Sequence, residues 1–174
     1  VARDLYKFRF NTKEDDESYR LFKQGSVYGS VGYLLRHQPA ALKFVLAVTA
    51  PLGVEARNVA VFLAEIIVAT FYRAGFAAGP IRQIEFTKSF LIVHKIAVEV
   101  GQAHDRFAER YFLNSGNFRQ PTLVNYITNT LFDGDEKTCP HKLPRDDLGT
   151  IYLAMQSIIN VLDKASGVEA NQGN

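Results

Sequence analysis

Glu65 and His104 are the two side chains whose type and setting could support acid–base or ligand chemistry. Glu65 sits among Val61, Phe62, Ile66, Ile67, Val68 and Ala69, with no basic residue three or four positions away. A carboxylate buried without a partner costs several kcal/mol, so it must meet a cation, lie at a rim or carry a proton. Arg36, Arg57, Arg73 and His104 are candidate partners, and a structural ion pair is favoured over a catalytic acid. His104 interrupts an otherwise apolar seam. It could ligate haem or a metal, or carry a proton, but a satisfied core histidine or a partner across an interface is favoured. On a helix His94 falls nearly opposite His104, Glu99 and Asp105 face elsewhere, and the Glu-x-x-His pair of di-iron bundles is absent. No metal site and no cofactor is expected.

Three other tracts carry weaker chemistry. Cys139-Pro140-His141 offers two ligands where a structural zinc site takes four, and a Pro-bounded neighbouring pair is poorly set up for nucleophilic catalysis. A surface thiol is the expectation. Gly25-Ser26-Val27-Tyr28-Gly29-Ser30-Val31-Gly32 matches neither glycine-rich phosphate-binding spacing, which leaves close helix contact or a bend. The tract Tyr6-Lys7-Phe8-Arg9-Phe10 interleaves rings with cations, and Arg20 and Lys23 follow. Rings that stack on bases and cations that hold phosphates suit single-stranded nucleic acid. The same alternation suits an arm whose side chains dock on a neighbouring subunit. No nucleophile elbow, Ser/His/Asp set or Asp-rich metal loop can be read.

The elements that position these residues are helical. Phe86, Phe90, Val93, Ala97, Val100, His104, Phe107 and Tyr111 step by four and three, while Lys88, Lys95, Glu99, Gln102, Arg106 and Glu109 gather opposite. Only a period near 3.6 separates those sets onto two faces. The spacing predicts one long helix over about 81–113. A first helix is expected from about Asp16 to Arg36, its acidic start Glu14-Asp15-Asp16-Glu17 facing the positive end of the dipole. Pro39 opens a second over Ala40–Thr49, and Pro51-Leu52-Gly53 breaks it. Residues Val54–Ala74 are apolar nearly all round, which predicts the most buried helix, packed against the long fourth. A fifth is expected from Pro121 to Phe132 and a sixth from about Asp146 to Lys164, with Ile151, Met155, Ile158 or Ile159 and Leu162 inward.

The expected fold is therefore an all-α, single-domain bundle of five or six helices: an extended arm over 1–13, the bundle over 14–166 and a frayed polar tail over 167–174. A chain of 174 residues can bury a real core, and 47% hydrophobic with 22% charged residues is an ordinary globular composition. The net charge of +2 does not by itself imply a polyanion partner, but its distribution is uneven. Between residues 18 and 82 seven bases face two acids, whereas from Asp133 onward seven acids face four bases. The single cysteine gives no internal disulfide, no leader pattern opens the chain, and no apolar run is long enough for a bilayer. No membrane association is expected, and an intracellular, cytoplasmic location is the default.

No motif carries a family resemblance. The leading functional expectation is a non-enzymatic helical interaction or assembly subunit of a homo- or hetero-complex, with a protein partner or self-association. The alternative is a single-stranded nucleic-acid-binding or nucleoprotein subunit that uses Tyr6, Lys7, Phe8, Arg9, Phe10, Arg20 and Lys23. The third is a small cofactor-binding or acid/base enzyme centred on Glu65 and His104.

Overall fold

The computed structural model describes residues 27–76, 79–103, 120–133 and 143–170. All regular structure among them is helical. In chain order these are α1 (Val27–His37), α2 (Pro39–Val48), α3 (Val54–Arg73), α4 (Gln83–Ala103), α5 (Pro121–Thr128) and α6 (Arg145–Ala170). A π turn, Asn129–Asp133, continues α5. The arm over 1–13, the expected start of the first helix and the 104–113 end of the fourth lie outside the described residues.

Local chemistry explains the breaks. Pro39 takes the first turn of α2, where its missing N–H is no loss. At the other end of α2, Thr49 Oγ1 donates to the Val45 carbonyl at 2.7 Å, and the Arg57 guanidinium donates to the Ala50 carbonyl at 3.0 Å. The Ala50 carbonyl, just past the helix end, is thereby satisfied, while the Val45 carbonyl also accepts from the Thr49 N–H at 2.9 Å. α3 closes on a Schellman motif. Gly75 adopts φ +93°, its N–H reaches the Tyr72 carbonyl at 3.0 Å, and the Phe76 N–H reaches the Phe71 carbonyl at 2.9 Å. The hydrophobic contact that accompanies such a cap is here Phe71 against Phe76, edge to face at 6.1 Å. The cap thus turns the chain and also returns a ring to the core.

The centre of the bundle is α6. It packs against α2, α3, α4 and α5, and against the π turn. Ile151, Ala154, Met155, Ile158 and Leu162 are fully enclosed, and Ile159 joins them, so both of the alternative inward isoleucines are buried. The expectation that α3 lies flank to flank with α4 is wrong: the two share at most marginal contact, and each packs on α6 instead. α3 is apolar around its circumference because α1, α2 and α6 surround it. α6 is recognised less easily because Gln156, Ser157 and Asp163 break its apolar pattern, although all three are buried. Ser157 returns its hydroxyl to the Leu153 carbonyl at 2.6 Å, and Asp163 accepts from Gln120 Nε2 at 2.6 Å. Satisfied in this way, polar groups are tolerated in a core. α6 also extends past the expected end at Lys164, to Ala170.

The seam of α4 is covered as its spacing requires. Phe86 is fully enclosed and Val93 nearly so, with Phe90 and Ala97 half-buried beside them. Phe44 of α2 stacks on Phe86 at 5.9 Å and meets Phe90 edge to face at 5.9 Å. This aromatic trio fastens α4 to α2, while α6 covers the rest of the seam.

Candidate functional site

Two surfaces concentrate chemically capable side chains. The first lies along the α1–α3 seam. Tyr33 and His37, one turn apart on α1, stand with ring centroids 4.2 Å apart, and His37 lies 4.7 Å from Tyr72 of α3. Tyr33 meets Tyr72 edge to face at 6.4 Å, and Tyr72 meets Phe76 at 5.2 Å. Such pairs favour tilted and edge-on geometry because ring faces are negative and ring edges positive. Arg36 and Arg73 stand exposed beside these rings.

Glu65 belongs to this patch. It is half-buried, with one carboxylate oxygen shielded from solvent. Burial is the largest influence on Tyr33 and pushes its hydroxyl above the ordinary value of 10.0. The positive charge of Arg73 opposes that rise, Tyr72 and the negative charge of Glu65 add to it, and Arg36 opposes it. Arg57, another candidate partner for Glu65, directs its guanidinium to the Ala50 carbonyl. Tyr33 therefore joins Glu65, Arg36 and Arg73 in a single electrostatic neighbourhood.

Beneath the patch, Gln38 ties three segments together. It is fully enclosed. Its Nε2 donates to Tyr72 Oη at 3.0 Å and to the Gly79 carbonyl at 3.3 Å, and its Oε1 accepts from the Ile81 N–H at 3.0 Å. Tyr72 Oη in turn donates to the His37 carbonyl at 3.3 Å. One amide thus holds the α1–α2 corner, the end of α3 and the approach to α4. Sequence reading missed it because a lone Gln before Pro39 resembles an ordinary helix cap, and its partners lie 34 to 43 residues away.

The second surface is the outer side of α4. Ile84, Leu91 and Val98 are exposed by 47%, 63% and 45%, and Ile92 by 61%. Beside this line, a groove of about 780 Å³ runs between α4 and α6. Ile81, Ile92, Val93, Val161 and Ala165 supply its apolar lining, with Glu85, Lys88 and Lys164 among its polar residues. Glu85 is bridged by Arg82 at 3.2 Å and by Lys88 at 3.9 Å.

Of the candidate site residues named from sequence, Glu65 falls among those described, as do its candidate partners Arg36, Arg57 and Arg73. Tyr6, Lys7, Phe8, Arg9, Phe10, Arg20, Lys23 and His104 lie outside them, as does Cys139-Pro140-His141. Among the described residues no group of three or more His, Cys, Asp or Glu is arranged to hold a metal, and no helix is long and apolar enough to cross a membrane. No protein-family model matches the chain, and neither does any curated protein or solved structure.

Proposed function

We propose that the protein is a helical assembly subunit that associates through the outer face of α4. The observation that carries this reading is the line Ile84, Leu91, Val98. Residues seven apart fall within about 20° of one another on a helix, so the three form a nearly straight stripe, ~21 Å long at 1.5 Å per residue. The seam that already serves the core lies about 130° around the helix, so these residues stand outside it, at the border of the charged side. Exposed apolar residues scattered singly are ordinary; here three share one face of a single helix, about 10.5 Å apart with Lys88 and Lys95 between them, and such a row fits a partner's amphipathic face.

Light scattering of the full chain across a concentration series tests the proposal. The expected mass is a multiple of the chain mass, falling to that of a single chain for Leu91→Lys, with the melting temperature unchanged because Leu91 contributes little to the core. A single-chain mass for the unaltered protein at every concentration, alone and with candidate partners, refutes it.

A second reading, single-stranded nucleic-acid binding, is favoured by the Tyr33–His37–Tyr72 rings flanked by exposed Arg36 and Arg73. It requires affinity that falls steeply with salt and is weakened in Arg36→Ala/Arg73→Ala. Salt-independent or undetectable binding of a poly(dT) oligonucleotide removes it.

A further inference from the structure

The groove between α4 and α6 has a composition that selects its occupant. Its lining is apolar, through Ile81, Ile92, Val93, Val161 and Ala165, and two lysines, Lys88 and Lys164, stand in its wall. Both lysines are exposed. Glu85, the acid among the lining residues, is already engaged by Arg82 and Lys88. The groove therefore presents a net positive edge beside an apolar trough, which calls for a segment that is acidic at one end and apolar at the other.

This chain carries such a segment outside the described residues. Glu14-Asp15-Asp16-Glu17 places four acids in succession, and Tyr19, Leu21 and Phe22 follow within five residues. We propose that residues 14–22 of one copy dock in the α4–α6 groove of a second copy, with the acids at Lys88 and Lys164 and the apolar residues in the trough. This rests on the assembly reading above and names the contact that would join the copies.

A second copy is the occupant because the groove adjoins the exposed α4 residues Ile84 and Leu91 through which copies are proposed to associate. The mixing experiment below separates it from the same chain's own segment, since α1 ends beside Ile81 of the groove wall, where Gln38 Oε1 accepts from the Ile81 N–H at 3.0 Å.

The test is charge-swap complementation in the full chain, read by light scattering as the concentration of half-association. Lys88→Glu/Lys164→Glu reverses the groove, and Asp15→Lys/Asp16→Lys reverses the segment. Each variant alone is expected to associate about tenfold more weakly, and an equimolar mixture to recover most of that loss, because the acidic groove of one accepts the basic segment of the other. Wild-type association in both variants overturns the inference while leaving assembly through α4 standing. Weakening without recovery on mixing also overturns it, since a partner within the same chain or a foreign acidic helix would behave that way. A single-chain mass for the unaltered protein refutes the assembly reading itself. Should the reversed groove lower the melting temperature, Lys88→Gln/Lys164→Gln takes its place: weakening and partial recovery on mixing are expected, and unchanged association overturns the inference.

Discussion

Replacing Gln38 by Leu should destabilise the fold although it removes no methyl group and opens no cavity. The Ile81 N–H would lose its 3.0 Å acceptor in a fully enclosed site. An orphaned buried donor costs about 1–3 kcal/mol. Tyr72 Oη would keep the His37 carbonyl but lose the 3.0 Å bond from Gln38, which adds roughly 0.5–1 kcal/mol. The Gly79 carbonyl sits on an exposed residue and can turn to water, so its 3.3 Å bond contributes little to the loss. Burying a Leu in place of an amide returns about 1 kcal/mol. The net expectation is a loss of about 2 kcal/mol, or roughly 4–8 °C in Tm for a chain of this size. Urea unfolding of wild type, Gln38→Leu, Tyr72→Phe and the double variant measures it, with a coupling of about 1 kcal/mol between the two positions. A Gln38→Leu loss under ~0.5 kcal/mol, or strict additivity with Tyr72→Phe, would refute the role of this amide as the clamp at the α1–α2 corner.

The other perturbations probe separate parts of the bundle. Phe86→Ala empties a fully enclosed site against Phe44 and should cost about 3–5 kcal/mol in the same unfolding assay; a cost below ~1.5 kcal/mol would mean that α2 and α4 are not fastened there. Gly75→Ala meets no neighbouring atom, so its cost comes from the backbone alone, about 1–2 kcal/mol for a side chain held at φ +93°; a neutral result would contradict the left-handed cap. Gln120→Ala deprives the buried Asp163 carboxylate of its 2.6 Å donor and should cost about 1–3 kcal/mol, with Gln120→Glu no better because it brings a second acceptor instead of a donor. Tyr33 titrates higher in the folded chain than in the unfolded one, first because of burial, so folding favours its neutral form. Its contribution is fully present below the unfolded value near 10.0 and is lost as pH rises through the higher folded value. Melting curves from pH 8 to 11.5 should therefore decline less steeply at the alkaline end for Tyr33→Phe than for wild type, and identical alkaline limbs would dismiss the effect.

The limits of sequence reading are visible in particular residues. Glu65 attracts notice because a carboxylate amid aliphatic neighbours is anomalous within a few positions, and in the fold it is half-buried, close enough to Tyr33 for its negative charge to be felt there. Tyr33, equally part of that patch, drew none, because an aromatic on a helix carries no such local signal. Gln120 and Asp163 illustrate the same point: each looks like a surface polar residue until the other, 43 positions away, is brought to 2.6 Å. The error over α3 and α4 has the same origin. Val54–Arg73 and Gln83–Ala103 are helices with apolar faces, as their patterns predict, but a face does not name its mate, and α6 takes that place.

What the residues determined alone was the set of helices and most of their ends, because the 3.6-residue period, Pro39, Pro121 and Gly75 act within a turn or two of where they stand. Tertiary structure decided which helix became the hub, how Gln38 joins three segments, and which side of α4 was left open beside a groove edged with lysine. Those outcomes depend on contacts between residues distant in the chain, and the free energy of such contacts is set by how whole faces fit together, a quantity that no local pattern contains.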